Sequence, residues 1–195
     1  NRINIVKLAI KWLEIITEIH KYNILIGDIN PNNFLVKSDN EIYFVDTDSY
    51  QIEDFPCPVG MITYTPLEIQ GLDFSTFLRK PEHEYFSIAT LLFMILMPGK
   101  TPYSHQGGGD LKENIQKGKF PYPVGEKPGK NPPAGPWRYI WSHFPRKTKE
   151  AFHNCFVKNE RLPPIKWLKL MESYKHALEN GLLDLGGRSM LIRRT

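Results

Sequence analysis

The stretch ILIGDINPNNFLV, residues 24–36, places a short polar segment between two apolar ones. Two short apolar runs, Ile24–Ile26 and Phe34–Lys37, enclose one aspartate, one proline and three asparagines. A third run, Ile42–Val45, follows the turn residues Ser38–Asn40. Short β-type runs separated by Asn, Asp and Ser are typical of strands joined by tight turns. The stretch therefore predicts three short strands, the last two forming a hairpin with a polar open end.

The hairpin register predicts which polar side chains meet at that end. A two-residue turn at Asp39–Asn40 would place Asn33 directly opposite Asp46, with Cβ atoms about 5 Å apart. Asp28 lies on the loop that feeds the first strand, and Asp48 falls on the same face as Asp46 if the strand continues. A one-residue change in turn length would break this register.

Oxygen ligands that converge from separate loops suit Mg²⁺, which takes a few protein oxygens together with substrate phosphates. The alternative is that each Asn or Asp only ends a strand or caps a turn. That alternative is favoured for any single residue, whereas a set at one end of one hairpin favours the metal. Asp48 is either a further ligand or bonds its own turn.

Composition limits the class of protein. A net charge of +4 over 195 residues, with 41% hydrophobic residues, is typical of one globular domain. No basic run is interleaved with aromatic residues, so we expect no nucleic-acid partner. Cys57 and Cys155 lie far apart without metal-ligand spacing, which favours a reducing, cytoplasmic compartment. Because the chain starts at Asn1 with a helical pattern, we expect it to be a fragment of a longer protein.

Helical periodicity covers most of the remaining sequence. Apolar residues recur at helical spacing over Ile3–His20, Lys147–Val157 and Pro164–Asn180. Residues 84–97 are largely apolar on every side but shorter than the roughly 20 residues that cross a bilayer. They predict a buried central helix and no membrane association. The sequence thus predicts a mainly α domain, residues 1–180, with a small β-hairpin.

Two segments are expected to be irregular. Residues 107–136 are rich in Gly and Pro and form a long excursion, which we expect Trp137, Tyr139 and Trp141 to pin. Residues 181–195 are expected to be a tail, a linker or the start of a further element.

Five motifs in this order resemble the C-terminal lobe of protein kinases. IGDINPNN, residues 26–33, is similar to the catalytic loop, whose pattern is His-Arg-Asp, four residues and Asn. The other four resemble the Asp-Phe-Gly motif, the end of the activation segment, the start of the central helix and the late Arg-Pro segment: VDTDSYQ (45–51), GMITYTPLE (60–68), EYFSIA (84–89) and RLPPIKW (161–167).

The resemblance implies one half of an α+β two-lobe kinase fold. The catalytic loop would span 24–36, the metal-binding hairpin 33–48 and the activation segment 46–68. The N-terminal lobe, which carries the Gly-rich loop and the ATP-contacting lysine, would precede Asn1 and is absent from this sequence. The nearest group is bacterial kinase-like proteins associated with tellurium-resistance and von Willebrand-type modules.

The resemblance also implies residue roles, with ATP as substrate and Mg²⁺ as cofactor. Asp28 would orient or deprotonate the acceptor hydroxyl, and Asn30 stands where Ser/Thr kinases have a lysine on the γ-phosphate. Asn33 and Asp46 would hold magnesium. The structural positions in the family pattern are Glu68, which would pair with Arg161, and Glu84; His20 is likewise expected to be structural.

The departures from the family pattern bear on regulation. Ile26-Gly27 replace His-Arg, so the arginine that senses a phosphorylated activation loop is missing and control by loop phosphorylation is not expected. Tyr64 is accordingly not expected to be a phosphosite. Thr47-Asp48 replace Phe-Gly, so the gating Phe is lost. Cys155 is expected in the core.

Three functions follow from the resemblance. The first is a bacterial protein-kinase-like phosphotransferase that acts on a protein hydroxyl. The second is a small-molecule phosphotransferase of the aminoglycoside or choline kinase type, whose loop also has Gly before Asp. The third is a pseudokinase or nucleotide-binding interaction module, suggested by the lost Lys, His-Arg and Phe-Gly. We expect the 195-residue chain alone to have little activity, since half of the nucleotide cleft would be missing.

Overall fold

Six helices carry the fold in the part of the chain that the computed structural model describes, residues 2–125, 131–185 and 188–191. The four helices predicted from periodicity are present, whereas the helix inside the Gly/Pro-rich excursion and the short helix directly after it were not predicted. In chain order the six are α1 (Arg2–Lys21), α2 (Pro81–Leu96), α3 (Leu111–Gln116), α4 (Trp137–Ser142), α5 (Arg146–Lys158) and α6 (Pro164–Glu179).

Helix α2 runs through the centre of the core. Proline at its first position suits a helix start, because the missing N–H would have no partner there. The Phe93 ring lies 5.3 Å from that of Phe152 and 5.5 Å from that of Tyr122, centroid to centroid. Each large apolar side chain buried in this way contributes about 1.5–3 kcal/mol. Within the described ranges, no helix combines the length and the apolarity needed to cross a membrane.

Helix α1 supports the β-hairpin that carries the polar end. It packs along α6 and against α2. The buried Trp12 of α1 contacts Phe34 edge to face at 5.7 Å, and Phe34 contacts Phe44 at 4.5 Å. These contacts seat strands β1 (Phe34–Ser38) and β2 (Glu41–Phe44) on the helix.

The predicted hairpin is present, but its predicted register is wrong by one residue. Phe34 faces Phe44 and Leu35 faces Tyr43, because the register shifts between Val36 and Ser38. Such a bulge adds one residue to a strand and changes every pairing beyond it.

The shift changes the pairing at the open end. The Val45 amide donates to the Asn33 carbonyl at 3.0 Å. Asn33 is therefore opposite Val45 rather than Asp46. The predicted strand Ile24–Ile26 is also wrong: its middle residue, Leu25, makes a single antiparallel bridge with Gln51.

Trp141 binds the excursion directly, Trp137 attaches the chain just after the excursion to Pro98, and Tyr139 does neither. The Trp137 indole donates to the Pro98 carbonyl at 3.1 Å, and the Trp141 indole donates to the Pro123 carbonyl at 3.2 Å. Tyr139 is 64% exposed, so its predicted pinning role is wrong. Residues 126–130 of the excursion lie outside the described part of the chain.

The segment predicted as a tail, linker or further element contains a second hairpin. Strands β3 (Leu182–Leu185) and β4 (Arg188–Leu191) pair antiparallel, with Leu182 opposite Leu191. The residues 186–187 and 192–195 of the predicted tail lie outside the described ranges.

Candidate active site

The catalytic loop bends sharply at Gly27. The Asp28 amide donates to the Ile26 carbonyl at 2.9 Å, which closes a three-residue turn around Gly27 at φ +74°. This conformation favours glycine because a Cβ destabilises it. A Cβ at this position would also lie 2.5 Å from the Cys57 sulfur. Glycine is thus required here for two reasons, and the bend places Asp28 at the exit of the turn.

The Asp28 carboxylate is held on one side only. Its Oδ2 accepts hydrogen bonds from Asn30 Nδ2 at 3.0 Å and Asn33 Nδ2 at 3.3 Å. The same two amides donate to the Asp28 carbonyl at 3.2 and 2.9 Å. The other oxygen, Oδ1, is shielded from solvent and has no hydrogen-bond partner within the described ranges. That oxygen is an acceptor without a partner, and a hydroxyl could reach it only after a neighbouring group moved aside.

Asn30 organises the loop from within. It is 3% exposed, and its Oδ1 accepts from the Asn32 amide at 2.9 Å. This bond caps the short 3₁₀ turn Pro31–Asn33. Because its amide nitrogen is already bound to Asp28, both ends of the Asn30 side chain are used inside the loop.

Asn33 connects the loop to the open end of the hairpin. Its Nδ2 is committed to Asp28, which orients its Oδ1 away from that residue. No hydrogen bond to Oδ1 is present in the described part of the chain. Its carbonyl accepts from Val45, the residue before Asp46. The structure thus brings Asp28 and Asn33 into contact. Asp46 directly follows Val45, the residue that pairs with Asn33.

Asp46 and Asp48 present free carboxylates. Asp46 is exposed at φ 59°, a left-handed conformation that Asn and Asp tolerate, and begins the 3₁₀ turn Thr47–Ser49. Its side chain makes no capping bond; instead the Ser49 hydroxyl donates to the Asp46 carbonyl at 3.2 Å. Asp48 is also exposed, and within residues 2–125, 131–185 and 188–191 neither carboxylate has a hydrogen-bond partner.

These donors fit a hard divalent cation. One amide oxygen and two carboxylates are the ligand types that Mg²⁺ accepts. The described residues contain no group of three or more His, Cys, Asp or Glu side chains placed for a metal. The predicted ligand set of Asn33, Asp46 and Asp48 contains only two residues of those types, because Asn33 would contribute an amide oxygen.

Glu84 and His20 support the loop from the side of α2. The Glu84 side chain is fully buried in the first turns of that helix. One carboxylate oxygen accepts from the Gly27 amide at 2.7 Å, and the other lies 2.7 Å from Nε2 of His20, near the end of α1. A buried carboxylate needs such partners, since an uncompensated charge is costly.

Glu68 and Arg161 form the ion pair that their motif positions implied. The two guanidinium nitrogens of Arg161 lie 2.5 and 2.9 Å from the two carboxylate oxygens of Glu68. The Glu68 side chain is 42% exposed and that of Arg161 6%. Burial alone raises the pKa of Glu68, but the hydrogen bonds and charge of Arg161 outweigh it, so the net pKa is lowered.

Tyr64 and Cys155 are both buried. Tyr64 is 5% exposed, its hydroxyl contacts the Met94 sulfur at 3.3 Å, and burial raises its pKa to about 12. Cys155 is buried within the main hydrophobic core, as predicted.

Sequence reasoning missed Arg79. It is 6% exposed, and its guanidinium donates to the main-chain carbonyls of Gly27 and Val59. Gln51 binds its main chain reciprocally: Arg79 N donates to Oε1 at 2.7 Å, and Nε2 donates to Arg79 O at 2.9 Å. Arginine is usually at the surface, and its partners here are main-chain atoms, so no sequence pattern pointed to this role.

Comparison with solved structures defines the class of fold. The chain matches the structure described as "Titin kinase and its flanking domains" with a TM-score of 0.63, covering 99% of this chain and 32% of that one. The sequences are 15% identical, so the match shows the fold alone. Together with the helices and hairpin above, it identifies the fold as that of a protein-kinase C-terminal lobe.

Two curated relatives bear the name "Protein kinase YegI". The protein from Escherichia coli strain K12 is 29% identical over 179 residues, which is 85% of this chain and 28% of the relative. The protein from Escherichia coli O157:H7 is 30% identical over 152 residues, or 72% and 23% respectively. The chain therefore spans about a quarter of the length of these relatives. No family model matches it.

Proposed function

We propose that this chain is the C-terminal lobe of a phosphotransferase that moves the γ-phosphate of ATP to a serine or threonine hydroxyl of a protein. The observation that carries the proposal is Asn33: its side-chain nitrogen binds Asp28, its side-chain oxygen has no hydrogen-bond partner among the described residues, and its carbonyl accepts from Val45, the residue before Asp46. One amide thereby links a base to a set of oxygen ligands. Similarity to proteins named as protein kinases supports the class.

Asp28 is the proposed base. Its free Oδ1 would accept the hydrogen bond of the acceptor hydroxyl and orient it towards the phosphate. The bonds from Asn30 and Asn33 to Oδ2 keep the carboxylate in one orientation. Phosphoryl transfer depends mostly on positioning and charge neutralisation, so this fixed orientation is the main contribution of the loop.

The proposed magnesium ligands are Asn33 and Asp46, with Asp48 as a third. All three offer oxygen atoms without hydrogen-bond partners among the described residues. Mg²⁺ bound there would neutralise charge on the phosphates of ATP. Mutual repulsion between free carboxylates is relieved by a cation, which gives this end of the hairpin an affinity for one.

The rest of the nucleotide site is proposed to lie in a preceding lobe of the full-length protein. The hairpin exposes a cross-strand apolar pair, Leu35 and Tyr43. Leu35 lies two residues after Asn33 in the chain. Such a surface suits the flat base of ATP, with the other lobe covering it. A cytoplasmic location and kinship with tellurium-resistance and von Willebrand-type systems remain predictions; the two buried free thiols suit a reducing compartment.

A second candidate is a nucleotide-binding module without transfer. Asn30 favours this second candidate, because it stands in place of the lysine that contacts the γ-phosphate in Ser/Thr kinases. Both its amide nitrogen and its amide oxygen are hydrogen-bonded inside the loop. The two candidates share the metal and nucleotide site and differ only in turnover.

The test uses the full-length protein with Mg²⁺ and ATP labelled at the γ-phosphate. We expect protein labelling in trans, and Asp28→Asn should lower its rate about 10²–10⁴-fold. Asp39→Asn, the same chemical change in the hairpin turn, is the matched control and should leave the rate unaltered. Undiminished labelling in Asp28→Asn would show that Asp28 is not the base. Nucleotide binding without labelling of any protein would favour the second candidate.

A further inference from the structure

Arg79 connects two segments that a kinase must hold together. Its guanidinium donates one hydrogen bond to the Gly27 carbonyl in the catalytic loop and one to the Val59 carbonyl in the activation segment. Both acceptors are neutral main-chain atoms. They are present in the molecule whatever its modification state, so this bridge needs no added phosphate.

The surroundings of Arg79 fix it in that position. A buried guanidinium needs hydrogen-bond partners, and charge-assisted bonds are the stronger kind. The two terminal nitrogens of the Arg79 guanidinium each bind a carbonyl, whereas its buried Nε has no hydrogen-bond partner among the described residues. The Phe74 ring lies 4.4 Å below the guanidinium carbon, a cation–π contact. Gln51 clasps the Arg79 main chain and itself pairs with Leu25 of the catalytic loop. Arg79 is thus attached to the loop through both its main chain and its side chain.

Gly27 is held from both sides. Its N–H donates to the buried Glu84 carboxylate, and its carbonyl accepts from the buried Arg79 guanidinium. Position 27 is also where the family pattern has the arginine that this chain lacks. An arginine therefore still joins the catalytic loop to the activation segment, but it comes from position 79.

We propose that Arg79 is a positioning residue that keeps the activation segment docked on the catalytic loop, in the arrangement competent for transfer, without phosphorylation. The inference rests on the proposed function and adds its mode of regulation. The burial of Tyr64 agrees with it, since that hydroxyl is not accessible to a modifying enzyme. The activation segment is then constitutively in place.

The first test is amide hydrogen exchange of residues 57–62 in the full-length protein. We expect Arg79→Ala to speed exchange there about tenfold or more, because two charge-assisted bonds are lost. Arg79→Lys keeps the buried charge but lacks the forked guanidinium geometry that reaches both carbonyls, and should give a smaller increase. Arg146→Ala, at a surface pair with Glu150, is the control and should change nothing in this segment.

The second test measures ATP labelling with the same variants. Arg79→Ala should lower kcat about tenfold or more while KM for ATP stays within about twofold, since Arg79 contacts the loop and not the nucleotide site. Millimolar guanidinium ion should restore part of the lost rate in Arg79→Ala and none in Asp28→Asn. Phosphatase treatment of the wild type should leave its rate unchanged. A merely structural residue would not show this combination.

The outcomes separate the two proposals. A wild type that labels no protein contradicts the proposed transfer, and the exchange data then decide alone whether Arg79 docks the segment. Wild-type exchange in both Arg79 variants overturns the docking role, whatever the activity. If Arg79→Ala does not fold, Arg79→Lys carries the same comparison. Loss of wild-type activity after phosphatase treatment overturns phosphorylation-independence.

Discussion

The predicted catalytic loop, residues 24–36, and the turn Asp46–Ser49 are held in opposite ways. Buried charged groups grip the loop on both sides, at the N–H and the carbonyl of Gly27. The turn is closed by local bonds of its own main chain, and its two carboxylates are exposed. The proposed base, Asp28, is therefore oriented by the protein itself. The groups proposed to meet an ion are left unbonded, so that the ion can organise them.

The largest loss of stability is expected when a buried charged group that binds the loop is removed. Glu84→Ala removes the acceptor of the Gly27 amide and the partner of His20, and should cost about 3–5 kcal/mol in the free energy of unfolding. Urea denaturation measures it. Glu82→Ala, in the same first turn but exposed, should cost no more than about 1 kcal/mol. Equal losses in the two variants would mean that Glu84 does not hold the loop.

A pair of glycine variants separates backbone strain from crowding. Gly71 has φ +80° with nothing within 4 Å of an added Cβ, so Gly71→Ala should cost only the left-handed penalty, about 1–2 kcal/mol. Gly27→Ala adds the contact with Cys57 and should cost about 1–3 kcal/mol more. Thermal unfolding of both variants checks this. If Gly71→Ala proves equally destabilising, the close approach at position 27 is unimportant.

The half-exposed pair of Glu68 and Arg161 should give an intermediate, pH-dependent effect. The pKa of Glu68 is lowered in the folded state, so the pair contributes fully above the unfolded value of 4.5 and its contribution disappears as the pH falls through the folded pKa. Because Glu68 is 42% exposed, solvent screens the pair and we expect about 1 kcal/mol at pH 7.

The measurement compares the free energy of unfolding of the wild type and Glu68→Gln between pH 7 and pH 3. The gap should narrow as the pH falls. A gap that is constant over this range would contradict the assignment of the effect to ionised Glu68.

The smallest effect on stability is expected at the exposed turn. Asp46→Asn removes a carboxylate without hydrogen bonds and keeps a residue that tolerates positive φ, so the free energy of unfolding should change by less than about 0.5 kcal/mol. The same variant of the full-length protein should lose the rise in melting temperature that Mg·ATP causes in the wild type. A full shift in the variant would mean that Asp46 does not bind the metal.

Much of the fold could be predicted because periodicity reports burial directly. The apolar spacing of α1 and the all-round apolarity of α2 are consequences of the surfaces those helices cover. The hairpin turn at Asp39–Asn40 was equally readable from its residue types. The register was not, because Lys37 is an ordinary exposed residue whether it lies in a regular strand or in a bulge.

The site was predicted only where side chains carry the pattern. Asp28, Asn33 and Asp46 stand at motif positions, and the structure brings the first two into direct contact. Arg79 was missed because its partners are the carbonyls of Gly27 and Val59, and every residue has a carbonyl. A main-chain acceptor leaves no trace in residue types, so such a bridge becomes visible only in three dimensions.

The close approach of Cys57 to Gly27 has a consequence for how such a lobe can change over time. No side chain fits at position 27 while Cys57 and Arg79 stay where they are. The first side-chain carbon of an arginine at position 27 would already collide with the Cys57 sulfur and crowd the Arg79 guanidinium. Moving the bridging arginine from position 79 to position 27 needs simultaneous substitutions at 27, 57 and 79, and each substitution alone is expected to be deleterious. The effects of substitutions at positions 27, 57 and 79 are therefore expected to be strongly non-additive.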